Sequence, residues 1–139
     1  MTDDRLRRTF RDLSTARVAT LRPDGSPFVA PHWFVWAEDA VYVSVRMGSA
    51  TWENVERDAR IAIVIDHGRE WTDLAGVEIE GTAAALPAEH PEVRGAMSAW
   101  HEKYRTMLAG DGFERMAAQV PELGFLHVVP GRVDAWDHR

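Results

Sequence analysis

Apolar residues in this chain recur at every second position, in short runs closed by turn-forming residues. That period marks half-buried strands. Residues 16–21 read as a first strand, with Val18 on one side. Arg22-Pro23-Asp24-Gly25-Ser26 is a tight turn, because Pro23 presets φ and Gly25 supplies a positive one. Residues 28–36 form a long second strand. Val29, Pro31, Trp33 and Val35 share one face of it; Phe28, Ala30, His32, Phe34 and Trp36 share the other. Pro31 has no ladder N–H to give, so the strand lies at an edge or carries a bulge there. After a turn at 37–39, Val41, Val43 and Val45 alternate with Tyr42, Ser44 and Arg46. Ile61, Ile63 and Ile65 mark a fourth strand over 60–65. In a fifth, over 77–85, Val77, Ile79 and Gly81 alternate with Glu78, Glu80 and Thr82, so one face is wet. Two last strands are predicted at 125–129 and 132–136, parted by Pro130-Gly131.

Helical spacing replaces this period in four places. Residues 4–14 put Leu6, Phe10 and Leu13 on one face. Residues 49–58 open on Ser49, a suitable N-cap, and bury Trp52 and Val55. Pro91 opens a longer helix to about 108, with Val93, Met97, Trp100, Tyr104 and Leu108 along one stripe. Gly110-Asp111-Gly112 ends it, and 113–120 form a last short helix. Residues 67–73 are a polar loop holding Trp71. Six or seven strands joined mostly by hairpins imply an antiparallel sheet. A small sheet of that kind curls into a barrel to remove its open edges. The expected fold is mainly β with peripheral α-helices, in a single domain over 1–139.

Composition then narrows the chemistry. With 139 residues a real core is possible. The net charge is −6, with no basic block, which argues against nucleic acid as the partner. The chain has no cysteine, which excludes disulfides, thiolate metal sites and cysteine nucleophiles. The N-terminal residues lack an apolar signal core and no window suits a membrane span, so a cytoplasmic location is expected. There are six tryptophans, many for this length, which calls for a core, an interface or a flat ligand to cover them.

A self-sufficient active site is not legible. No G-x-S-x-G elbow occurs. The six histidines are scattered without metal-ligand spacing, so no metal site is expected. Glu78/Glu80 and Glu89/Glu92 suit solvated positions. That leaves a bound cofactor as the source of reactivity.

Four segments carry a resemblance: 17–36, 41–65, 74–86 and 131–139. In that order they resemble the pyridoxamine 5'-phosphate oxidase-like split-barrel family, and within it the short flavin- and deazaflavin-dependent oxidoreductases. The resemblance implies a six-stranded split barrel that works as a homodimer, with two flavin sites at the interface. It places Pro31, His32 and Trp33 along the ring. It places Val45, Arg46, Met47, Ser49, Ala50 and Thr51 on the phosphate side. The implied cofactor is coenzyme F-420, ranked above FMN, with a small molecule as the hydride partner. The enzymes that name the family are longer at the C-terminus, so their own activity is not expected. The alternative is a non-catalytic barrel that stores or senses a flavin, haem or other planar ligand.

Each of these residues also has a plainer reading. Arg46 suits an exposed strand end, and Ser49 a helix cap. Trp33, Trp52 and the Trp100/Tyr104 stripe suit packing, and Trp136 an interface or core anchor. His32 suits a satisfied histidine. His138 and Arg139 read as a frayed tail. One departure from the family pattern is visible. A Lys or Arg usually follows the loop serine, but here Thr51 stands there and Glu53 adds a negative charge. A neutral donor binds phosphate less strongly than a charged one. Arg46, Arg57 or an arginine of a partner chain would then compensate. Arg17, Arg22, Arg57 and Arg60 are the candidates for a basic groove along the acidic tail of F-420. No catalytic side chain is assigned.

Overall fold

The structure, a computed structural model, describes residues 4–37, 39–119 and 122–139, without the side chains of residues 5, 6 and 119. The expected contact of Leu6, the middle of the 37–39 turn and the end of the last helix at Val120 lie outside the described residues. In chain order the elements are α1 (Asp4–Arg11), β1 (Thr15–Leu21), β2 (Pro27–Ala37), β3 (Ala40–Arg46), α2 (Ala50–Arg57), β4 (Arg60–His67), β5 (Ala75–Pro87), α3 (Arg94–Met107), α4 (Gly112–Gln119) and β6 (Leu123–Asp137). Single 3-10 turns at Trp71–Asp73 and Pro91–Val93 precede β5 and α3.

The six strands are all antiparallel and close into one barrel in the order β1-β2-β3-β6-β5-β4, with β4 returning to β1. Alternation decides which side chains enter it. Val18, Phe34, Val43, Val45, Ile63, Val77, Ile79 and Leu126 fill the interior. Phe10 of α1 joins them and is fully buried. An isolated helix of eight residues is not stable in water. Burial of the Phe10 ring, worth about 1.5–3 kcal/mol, is what holds α1 against the barrel.

A second core lies outside the barrel. Ala96, Trp100 and Tyr104 recur every fourth residue along α3 and pack on Val35, Tyr42 and Phe125, which point outward from the sheet. Residues i and i+4 share a helix face, so one stripe suffices to dock α3 on β2.

Two expectations are corrected. Pro130-Gly131 does not divide two strands: β6 runs through it. β5 pairs with both halves, and the extra residue is absorbed as a bulge, with Glu80 facing Arg132 and Gly81 facing Pro130. His138 and Arg139 are not frayed. The His138 N–H donates to the Leu74 carbonyl at 2.8 Å, and Arg139 meets the Asp137 carboxylate at 2.9 Å.

Gly81 permits the bulge. A Cβ there would sit 2.0 Å from the Val129 carbonyl oxygen, a main-chain atom with no room to swing away. Gly81→Ala is therefore expected to lower the unfolding free energy by about 1–3 kcal/mol, read from urea denaturation. At Gly76 the neighbour is the Trp136 ring at 2.2 Å, on a half-buried side chain that can move, so Gly76→Ala should cost less. Equal losses at the two positions would contradict this account. Among the described residues no helix is long and apolar enough to cross a membrane.

Candidate functional site

The site begins where β2 changes partner. β2 pairs with β1 as far as Trp33, which faces Thr15. It pairs with β3 only from Phe34, which faces Val43. Before Phe34, β2 has no β3 neighbour, and beyond Val43 the two strands part. Pro31 lies in this one-sided half-strand, the edge position its missing N–H requires. No bulge interrupts the β1–β2 register there.

Three side chains stabilise the parting. Ser44 Oγ donates to the Trp33 carbonyl at 3.0 Å, replacing a ladder bond. The Tyr104 hydroxyl accepts from the Phe34 N–H at 2.7 Å. Its own proton lies between the Phe34 carbonyl at 2.7 Å and the Ser14 carbonyl at 2.8 Å. Burial pushes the Tyr104 phenol above its usual range, so it remains a donor. Lys103 Nζ donates to the same Phe34 carbonyl at 2.9 Å. The Trp33 indole stacks on the Tyr104 ring, with centroids 4.0 Å apart and planes 3° from parallel.

A cleft of about 460 Å3 opens between the parted strands, a size that takes a cofactor-sized ring system. Pro31, His32 and Trp33 line one side, and Ser44, Val45, Arg46 and Ser49 the other. Thr15, Trp100, Met116 and Leu123 complete the wall. The buried Trp100 indole N–H has no hydrogen-bond partner among the described residues. Arg46 is exposed and forms no ion pair among them. Ser49 caps α2: its Oγ accepts from the Trp52 N–H at 3.4 Å, which leaves its own proton to donate.

The structure thus gathers six of the nine predicted residues: Pro31, His32, Trp33, Val45, Arg46 and Ser49. The other three do not line the cleft. Met47 packs toward the core beside Gly124. Ala50 is exposed at the start of α2. Thr51 is 2% exposed, and its hydroxyl meets His32 Nε2 at 2.9 Å. Burial holds the His32 pKa below the ordinary imidazole range. Sequence reasoning missed Thr15, Ser44, Met116 and Leu123, and gave Trp100 a packing role alone. Trp100, Met116 and Leu123 come from α3, α4 and β6, distant parts of the chain that no local spacing connects, whereas Thr15 opens β1 and Ser44 stands beside the predicted Val45 in β3.

The expected basic groove does not assemble. Arg17 pairs with Asp66 and Arg60 with Asp58. Arg22 donates to the Pro27 carbonyl at 2.8 Å, and Arg57 to the Leu21 carbonyl at 2.6 Å. None of the four lines the cleft. Among the described residues no group of three or more histidines and carboxylates could hold a metal.

A second cleft of about 620 Å3 lies between α1, β2 and α3, lined by Arg11, Asp12, Trp36, Glu102 and Lys103 among others. It is larger but lacks the flat aromatic wall. Burial pushes Lys103 down to about 8 from 10.5. Below about pH 8 both folded and unfolded chains hold this proton, and the fold bears the full cost of desolvating it. Between that pH and about 10.5 the unfolded chain binds more protons, so stability rises with pH. The wild type is expected to gain stability relative to Lys103→Met between about pH 7 and 10 in urea titrations. A constant difference would contradict the burial.

The sequence profile of the family described as pyridoxamine 5'-phosphate oxidase matches residues 2–137. No curated protein matches the sequence significantly. Solved structures share the fold at low identity. A conserved hypothetical protein from Mycobacterium tuberculosis is 24% identical, with TM-score 0.78, over 100% of this chain and 87% of that one. An F-420 reductase is 17% identical, with TM-score 0.67, over 92% and 94%. The heme storage protein HutZ from Vibrio cholerae is 14% identical, with TM-score 0.71, over 99% and 95%.

Proposed function

The chain belongs to the pyridoxamine 5'-phosphate oxidase family, and from that premise we propose that it is an oxidoreductase that holds F-420 or FMN in the β2–β3 cleft for hydride transfer to a small molecule. One observation carries the reading. The cleft joins a flat stacked wall, Trp33 on Tyr104, to an anion-binding end made of Arg46 and the Ser49 cap of α2. An aromatic redox ring with an anionic tail needs both ends at once.

The residues present fit such a group. Trp33 offers an apolar face held rigid by the Tyr104 stack. Arg46, with no competing carboxylate among the described residues, can clamp phosphate bidentately. The Ser49 hydroxyl adds a donor beside the first N–H groups of α2. When bound, the ring supplies the hydride. The chain's part is to orient that ring, shield one face from water and anchor the tail. Among the residues lining the cleft, His32 and Arg46 are the titratable ones.

A homodimer is part of the proposal. The first half of β2 leaves one flank without a strand partner, and Val29 on it is 68% exposed. An apolar half-strand of this kind invites a second copy. Coenzyme F-420 ranks above FMN on the resemblance alone; with Arg17, Arg22, Arg57 and Arg60 engaged elsewhere, the cleft would offer its acidic tail no basic groove.

The test is turnover. Reduced F-420 or FMN is mixed with the protein and a panel of small acceptors, and oxidation of the ring is followed by absorbance. Oxidation that depends on both protein and acceptor supports an oxidoreductase. Binding without turnover across the panel favours the second reading, a planar-ligand binder, which the HutZ fold and the imidazole in the cleft support. Sedimentation at micromolar concentration tests the dimer; a monomer would overturn that part.

A further inference from the structure

We propose that Thr51 locks His32 as a neutral Nδ1–H donor, and that the cleft thereby selects a ring whose tail is a phosphodiester over one whose tail is a phosphomonoester. The inference rests on the ring-binding reading above and adds to it the charge state of the ligand.

Thr51 is 2% exposed, so its hydroxyl proton needs an acceptor inside the protein. His32 Nε2, 2.9 Å away, is the partner its side chain has among the described residues. A nitrogen that accepts this bond carries no proton, so the imidazole proton sits on Nδ1. His32 Nδ1 makes no hydrogen bond among the described residues, yet it is not among the buried unpartnered atoms. It is therefore accessible, on a residue that lines the cleft. Burial of the ring keeps it neutral near pH 7.

The donor set of the cleft follows. Arg46 is its one charged side chain; Ser49 Oγ and His32 Nδ1 are neutral donors. A phosphomonoester has its second pKa near 6, so it carries close to two charges at neutral pH. A phosphodiester carries one. One guanidinium balances the diester, and neutral hydrogen bonds complete its shell. The second charge of the monoester would leave water without a second cation, which is costly. A neutral bond is about half as strong as a charge-assisted one, so His32 and Ser49 do not replace that cation.

The probes are riboflavin, FMN and the monomethyl ester of FMN, which share one ring and end in a neutral hydroxyl, a phosphomonoester and a phosphodiester. At about pH 8 the wild type is expected to bind the methyl ester at least about threefold more tightly than FMN. In the free protein, nitrogen NMR should report His32 as the Nδ1–H tautomer. Thr51→Val should lose that tautomer and weaken methyl ester binding about fivefold, with riboflavin unchanged. Thr51→Ser, which keeps the hydroxyl, should retain both signatures and so controls for folding. FMN binding as tightly as its ester, or an Nε2–H tautomer in a protein that binds flavins, overturns this proposal alone. Failure of all three probes and of F-420 to bind, with Nδ1–H observed, overturns the ring-site reading and this ligand with it.

Discussion

Replacing Tyr104 with Phe lowers the unfolding free energy by about 1–3 kcal/mol and Tm by about 5–10 °C. The side chain is fully buried, and its hydroxyl is the acceptor for the Phe34 N–H at 2.7 Å. It also donates toward the Phe34 and Ser14 carbonyls. Without it, the buried Phe34 N–H loses its acceptor, while the Phe34 carbonyl keeps the Lys103 Nζ donor; no neighbouring strand can supply the lost acceptor, because β1 begins at Thr15 opposite Trp33. An orphaned group of this kind costs about 1–3 kcal/mol. The ring of Phe would still stack on Trp33, so the loss isolates the hydrogen bonds. Thermal unfolding by circular dichroism checks this. A Tm within about 2 °C of wild type would show that β2 is held at its parting by packing alone.

Arg46→Gln should weaken binding of F-420 or FMN by about 10–100-fold with the fold unchanged. A hydrogen bond to a charged group is worth about 1.5–3 kcal/mol, which converts to that range. Arg46 is exposed and unpaired among the described residues, so its removal leaves no buried charge behind. Stability should stay within about 0.5 kcal/mol of wild type. Arg46→Lys should recover part of the affinity, because an ammonium provides charge without the planar fork. Equal affinities across the three proteins would remove Arg46 from the site.

The strands were legible because the barrel interior and exterior enforce strict alternation. Val41, Val43 and Val45 enter the core while Tyr42 leaves it, as their period predicts. Pro31 announced an edge for a physical reason, its missing N–H. The pair Pro130-Gly131 misled, because turn residues in a strand paired along its whole length can form a bulge instead. The site was legible only in its local parts. Arg46 and Ser49 lie three residues apart around one turn, and Pro31, His32 and Trp33 are consecutive. Trp100, Met116 and Leu123 reach the same cleft from the far side of the fold, where no sequence spacing connects them. Thr51 shows the limit most clearly. Its place after the serine suggested a phosphate ligand, but helical geometry turns it inward to His32.

The most direct test of a ring site between β2 and β3 is an equilibrium titration of the wild-type protein with F-420 and with FMN, followed by quenching of ring fluorescence. Saturable quenching by at least one of them, with one ring per chain and a Kd of tens of micromolar or tighter, is the predicted result. Unchanged fluorescence of both rings across that range would contradict it.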